Sequence, residues 1–253
     1  MSHATRREFI QSASVGAAGL LLTSAVSAAE SADKKSADAD TMISPVFATE
    51  HKPKTLDFDP AKLSGISEKL MRSHWENNYS GAVKTLNAVN KQLAAALSVK
   101  DSPPWAYNDL KREHLIRTGS VVFHELYFGN LGGDGKADAS LRSELGSRFG
   151  SFDAWESEFR KIGAGLGGGS GWVVLGYNLH TQAIENYWLA DHAHGPAATL
   201  PLLVMDMYEH AYQMDYGAAA GKYIDAFFQN IRWEVVGSRL ASVRNFKMAE
   251  GTA

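Results

Sequence analysis

Apolar side chains recur every three or four residues from Asp59 onward, the period of a helix with one buried face. Ile66, Leu70, His74 and Asn78 fall at four-residue steps, which predicts one shared face. Leu86, Val89, Leu93 and Leu97 carry the pattern on until Ser102-Pro103-Pro104 stops it. A second helix is predicted where Leu110, Arg117, Val121, His124 and Phe128 line up, closing at Asn130-Leu131-Gly132-Gly133. Together they predict an antiparallel hairpin with a histidine on the apolar face of each helix. After the Gly133–Ala137 turn, helical patterning returns over Leu141–Phe149 and Phe152–Ile162, with Ser151 as a cap and Asp153 in the first turn of the latter. Three strand-like runs follow, Gly171–Tyr177, Ala183–Leu189 and Leu200–Asp206, the first two joined by Asn178-Leu179-His180-Thr181. A last helix is predicted over Gly221–Leu240, carrying Tyr223, Phe227, Ile231 and Val235. This order is α+β: an N-terminal antiparallel helical hairpin (55–133), then a C-terminal domain on a three-stranded antiparallel sheet (134–245) and a tail (246–253).

The first 28 residues do not fit that pattern and read as an address. Thr5-Arg6-Arg7-Glu8-Phe9-Ile10 sets a twin arginine before the charge-free run Ser12–Ala28, which ends in the small residues a signal peptidase requires. The run holds too much Ala, Ser and Gly to serve as a stable membrane anchor. The expectation is a signal peptide over 1–28, recognised by the export machinery of the twin-arginine route, and a periplasmic or otherwise exported protein. Residues 29–54, polar and non-periodic, are expected to be a disordered linker.

Composition narrows the chemistry. The chain of 253 residues is 45% hydrophobic and 21% charged, with a formal charge of −3 that gives no basic field for nucleic acid. It has no cysteine, which excludes a disulfide scaffold, a thiol nucleophile and any thiolate-held metal. A bound metal must therefore rest on His, Asp or Glu. The run Gly163-Ala164-Gly165-Leu166-Gly167-Gly168 spells a dinucleotide fingerprint but follows a helix and precedes a strand, the reverse of what phosphate binding needs.

Of nine histidines, His3, His51, His114 and His180 read as surface or turn residues. His74 and His124 lie on apolar helix faces, and Asp206 ends the apolar run Leu202-Leu203-Val204-Met205, with His210 four residues on. A buried carboxylate is costly without a partner, and a shared di- or trivalent cation would supply one. A competing cluster is Asp191-His192-Ala193-His194.

Several segments together resemble the iron/manganese superoxide dismutase family: Ser73-His74-Trp75, Val83-Lys84-Thr85-Leu86-Asn87, Phe123-His124-Glu125-Leu126-Tyr127-Phe128, Phe149-Gly150-Ser151-Phe152, Gly169-Ser170-Gly171-Trp172 and, most specifically, Asp206-Met207-Tyr208-Glu209-His210-Ala211-Tyr212 with Trp233-Glu234. The resemblance spans about Asp57 to Leu240. It implies His74, His124, Asp206 and His210 as ligands of one Fe or Mn ion per subunit, with superoxide as substrate. His192 stands where many members hold a glutamine against the metal's solvent ligand, so the resemblance implies that it tunes that solvent. Trp75, Trp172, Tyr127 and Phe128 are implied as pocket walls. Glu209 is implied to reach the partner's metal-ligating histidine across a homodimer.

The match breaks at the family's gateway pair, whose positions hold Asn78 and Ala82, at Gln213, and at the funnel arginine, whose counterpart is near Ala220 with Lys222 the closest cation. Asn78 is kept as a candidate catalytic residue because its amide can hydrogen-bond. These departures bear on proton delivery and substrate access and leave the cage unchanged. Iron is favoured over manganese because neither His192 nor Phe128 points to manganese. Two rival readings share the cage: a peroxidase-type enzyme with a widened pocket, and a metal-binding protein without turnover.

Overall fold

Ser67 starts the first helix, its Oγ accepting from the Leu70 N–H at 3.1 Å. The computed structural model describes residues 44–244 and Phe246; the candidate export segment lies outside the described residues. The helix runs as α1 (Glu68–Ser73), a π-helical turn (His74–Tyr79) and α2 (Ser80–Leu97). In that turn the Ser80 N–H donates to the Trp75 carbonyl five residues back. The extra residue per turn breaks the predicted four-residue register. Tyr79, not Asn78, joins His74 on the buried face, each 1% exposed. Asn78 is only half-buried.

The second helix, α3 (Pro104–Gly129), starts six residues earlier than the apolar pattern implied, with Pro104 in its first turn. It packs antiparallel to α2 as predicted. The expected linker is packed over its last residues. Phe47, in a short 3₁₀ turn Pro45–Phe47, is buried with Val89 and Leu93. The backbone of His51 exchanges two 2.9 Å hydrogen bonds with the Asn87 amide. Single apolar residues in polar sequence leave no periodicity, which is why this segment read as a tether.

The rest is α4 (Ala139–Phe149), α5 (Phe152–Leu166), β1 (Trp172–Asn178), β2 (Ala183–Leu189), β3 (Thr199–Asp206), α6 (Gln213–Tyr216), α7 (Ala220–Gln229) and α8 (Trp233–Arg244). The sheet is antiparallel in the order β2-β1-β3, with Val173, Val174 and Leu175 of the central strand fully buried. Trp172 pairs with Asp206 across β1 and β3, so strand register sets these two side by side. As the pattern implied, a helix leads into the glycine run and a strand follows it.

The single final helix predicted over Gly221–Leu240 is two helices. The chain breaks at Asn230-Ile231-Arg232 because these residues bond elsewhere. The Asn230 amide donates to the Ser64 and Ala226 carbonyls and accepts from the Ser64 N–H. Ile231 bridges Leu131, and the Arg232 N–H donates to Asn130 O at 2.7 Å. A Cβ at Gly133 would stand 2.3 Å from Ile231 O, so only glycine lets the hairpin's end approach this break. Asn130, fully buried, continues the joint: its amide donates to Val204 O at 2.8 Å and accepts from Arg239, which also donates to Leu202 O. The hairpin that carries two histidines is thus clamped to the strand that carries Asp206.

Ser67 has a second role. Its hydroxyl donates to Asp215 Oδ1 at 2.6 Å, tying α1 to α6. Ser67→Ala is expected to lower stability by about 1 kcal/mol through the lost cap. Thermal unfolding read by circular dichroism checks it: a fall of roughly 2–4 °C is expected for a domain of this size, and an unchanged midpoint would contradict it.

Candidate metal centre

Four side chains from three separate stretches converge in the interior. His74 comes from the π turn, His124 from α3, Asp206 from the end of β3 and His210 from the 3₁₀ turn Glu209–Ala211. Around Asp206 Oδ2 stand three Nε2 atoms, of His74 at 3.1 Å, His210 at 3.3 Å and His124 at 3.6 Å. All four ligand atoms lie within 4.8 Å of one another and could hold a metal ion. Donors about 2 Å from a common centre stand roughly 3–4 Å apart, which is this spacing.

The protonation states agree. Burial lowers the His74 pKa and brings that of His124 down to about 3, so both imidazoles are neutral at ordinary pH. His124 Nδ1 lies 2.7 Å from the Ser120 carbonyl, a contact only a protonated Nδ1 can make, and this leaves Nε2 as a free lone pair. Burial would raise the Asp206 carboxyl, but the imidazoles of His210 and His74 outweigh it and hold the group well below the usual carboxylate range. Its other oxygen, Oδ1, accepts the Tyr208 N–H at 2.8 Å. Nε2 of His74 and of His124 are buried without a hydrogen-bond partner. Buried ring nitrogens without partners beside an ionised carboxylate at 0% exposure are polar atoms that a cation shared among them would satisfy. The donor set, nitrogen and oxygen with no sulfur, fits iron or manganese.

Aromatic rings enclose the cluster. Tyr127 and Phe128 lie 5.3 and 5.1 Å from the His74 ring, and Trp172 lies 5.2 Å from that of His124. Trp172 Nε1 donates to His192 Nδ1 at 3.1 Å, so neutral His192 carries its proton on Nε2. Its ring centroid is 5.9 Å from that of His124, and it stacks on Tyr208 at 4.5 Å. Burial brings the His192 pKa down to about 4, which keeps that proton count across the physiological range.

A cavity of about 320 Å³ opens beside the cluster, lined by Asn77, Asn78, Gly81, Ala82, Thr85, Arg117, Ser120, His124, His192 and His210. Asn78, Ala82 and His192 therefore share one space with two of the clustered imidazoles. Ala220 does not reach it, being buried in the core, and Lys222 is not among its walls. The competing cluster is closed on itself: Asp191 Oδ1 accepts from the Ala193 N–H at 2.7 Å and lies 2.8 Å from His194 Nδ1. Glu209 is exposed and forms no ion pair among the described residues.

Sequence reasoning missed Tyr79, Ser120 and the placing of Arg117. Tyr79 donates to Glu125 Oε1 at 2.9 Å and accepts from the Lys54 N–H, and its ring lies 6.2 Å from that of His124. No pattern exposes a π turn. Arg117 was legible in part, since it lies two helical turns before His124 on the same face.

Comparison with known proteins agrees with this geometry. Residues 137–239 match the C-terminal domain of the iron/manganese superoxide dismutases. The chain is 50% identical over 189 residues to the iron superoxide dismutase of Cupriavidus metallidurans, covering 75% of this chain and 95% of that protein. This chain belongs to the iron/manganese superoxide dismutase family. It is also 35% identical over 187 residues to the iron superoxide dismutase of Aquifex aeolicus (71% of this chain, 86% of that one). Against the manganese superoxide dismutase of Mycolicibacterium fortuitum it is 32% identical over 192 residues (74% and 91%). Relatives named for either metal therefore each cover between 71% and 75% of this chain.

Proposed function

We propose that His74, His124, Asp206 and His210 hold one metal ion per chain, iron before manganese, and that the chain disproportionates superoxide there. The observation that carries this reading is the convergence of three Nε2 atoms on one buried carboxylate oxygen. A bound iron or manganese ion would supply one-electron redox chemistry, by which two superoxide ions and two protons would give one dioxygen and one hydrogen peroxide. The chain's own part is to hold the ligands, keep His74 and His124 unprotonated by burial and present a proton to the cavity. His192 is suited to the last: Trp172 occupies its Nδ1, so Nε2–H is the hydrogen-bond donor it has left. Asn78, on the cavity wall, offers a second polar contact without a titratable proton.

Iron is preferred because the Cupriavidus protein at 50% identity is an iron superoxide dismutase. A homodimer accounts for Glu209: an exposed carboxylate one residue from His210 can cross a two-fold axis to the partner's His210. Export by the twin-arginine route rests on Arg6-Arg7 and the apolar run behind them. No helix among the described residues is long and apolar enough to cross a membrane.

Purified protein loaded with iron or manganese is the test. Superoxide turnover far above that of the free ion, with one metal per chain, is expected, and turnover no higher than free metal would overturn the reading. His192→Ala is expected to keep the metal and to lose roughly 10–100-fold in turnover, the usual effect of removing a group that supports a metal site. Full turnover in that variant would remove His192 from the mechanism.

A further inference from the structure

Superoxide is an anion, the chain carries a formal charge of −3, and long-range attraction must therefore come from a local cation. The cavity beside the cluster has one: Arg117 is the single permanent cation among its walls, and no carboxylate lines it. Arg117 sits two helical turns before His124 on α3, so its side chain rises from the same face as that imidazole. Its guanidinium is held from outside the cavity by Glu113, one turn back, whose Oε1 accepts from Nε and Nη2, each at 2.6 Å. Both bonds go to one side of the fork. Nη1 makes no hydrogen bond among the described residues, and the side chain is 34% exposed. A planar fork with one edge anchored and the other free suits it to dock a small anion.

From this we infer that Arg117 is the anion-docking residue of the cavity, drawing superoxide towards the cluster, and that Glu113 attenuates it by partly cancelling its charge. The proposal rests on the dismutase reading above for the identity of the anion and on the cavity walls for the residue. It gives the two partners opposite effects. Removing the guanidinium charge weakens capture, and removing the Glu113 charge strengthens it. An ion pair with a merely structural role would give the same sign for both.

The experiment uses metal-loaded wild type, Arg117→Gln, Arg117→Lys and Glu113→Gln, each first checked for metal content and thermal midpoint. Two quantities are read: kcat/KM for superoxide across ionic strength, and the azide dissociation constant from optical titration, which needs no turnover. At low ionic strength Arg117→Gln is expected to lower kcat/KM about tenfold, the lower end of electrostatic steering. The gap to wild type is expected to close near 0.5 M salt, where screening reaches only a few ångströms. Azide is expected to bind more weakly by a similar factor, Arg117→Lys to stay within about threefold of wild type, and Glu113→Gln to raise kcat/KM and lower the azide dissociation constant. Wild-type kcat/KM and azide affinity in Arg117→Gln would overturn the assignment. So would a loss that persists at high salt, or equal losses in the Arg117 and Glu113 variants. If wild type binds azide through Arg117 but shows no superoxide turnover, the dismutase reading fails and the anion-docking assignment stands.

Discussion

Asp206→Ala is expected to abolish superoxide turnover and metal retention together, each by at least about 100-fold, more than the 10–100-fold typical of residues that only support a metal ligand. Asp206 supplies the one negative charge of the cluster and the oxygen on which all three Nε2 atoms converge. Without it, no anionic ligand offsets the charge of the cation. The stability readout has a sign that activity cannot give. In metal-free wild type the carboxylate is ionised at 0% exposure, with one N–H and three imidazoles for company. Burial raises its pKa, but the imidazoles of His210 and His74 hold it below the usual carboxylate range. The ionised group therefore favours the folded state, and metal-free Asp206→Asn is expected to be less stable than metal-free wild type. Metal widens the gap. A ligand at a thousand times its dissociation constant adds about 4 kcal/mol to the folded state, or roughly 8–16 °C for a domain of this size. That metal-dependent rise is expected in wild type and absent in both Asp206 variants. Equal metal content and turnover in Asp206→Ala would disprove the proposed site.

The cage was legible because its members break a pattern that is otherwise strong. His74 and His124 interrupt apolar stripes, and Asp206 closes a run of four buried apolar residues, places where a polar side chain requires a reason. The strands were legible because short apolar runs bounded by turn residues are a local signal. What stayed hidden depends on partners far along the chain. The π turn at His74–Tyr79 adds one residue to a helix whose composition does not reveal it, and so the sequence did not single out Tyr79. The break between α7 and α8 is made by Asn230 bonding Ser64, 166 residues away, which no window on the sequence contains. Arg117 was seen on the right face, but its role depends on which walls surround it, and those come from the π turn, α2, α3, the loop after β2 and the 3₁₀ turn after β3. Family likeness directed attention to the neighbourhood of Ala220 for a cation; the fold puts Ala220 in the core and a cation on α3 instead.

Gly119→Ala is expected to be the most damaging single methyl near the site. Glycine in the interior of a helix such as α3 is normally a weak point, and alanine there should gain up to about 1 kcal/mol in helix propensity. Here the sign is reversed by the turn carrying His192. A Cβ on Gly119 would stand 1.8 Å from the His192 carbonyl oxygen and 2.9 Å from its carbon, both backbone atoms that cannot rotate aside. Either α3 or the turn must move by more than an ångström. The helix is held by its packing on α2 and by the clamp through Asn130 and Arg239, whereas the turn is held by Asp191, the Trp172–His192 bond and the stack of His192 on Tyr208. The turn gives way. Overpacking of this kind costs typically 1–3 kcal/mol, so a fall in the thermal midpoint of several degrees is expected despite the better helix former. Because His124 stays in place, metal content is expected to remain at one per chain. His192 is displaced, and turnover falls towards that of His192→Ala. The double variant then separates the effects: Gly119→Ala added to His192→Ala should reduce turnover little further, since both act through the same imidazole. Losses that multiply would mean that the methyl disturbs His124 and the cage itself.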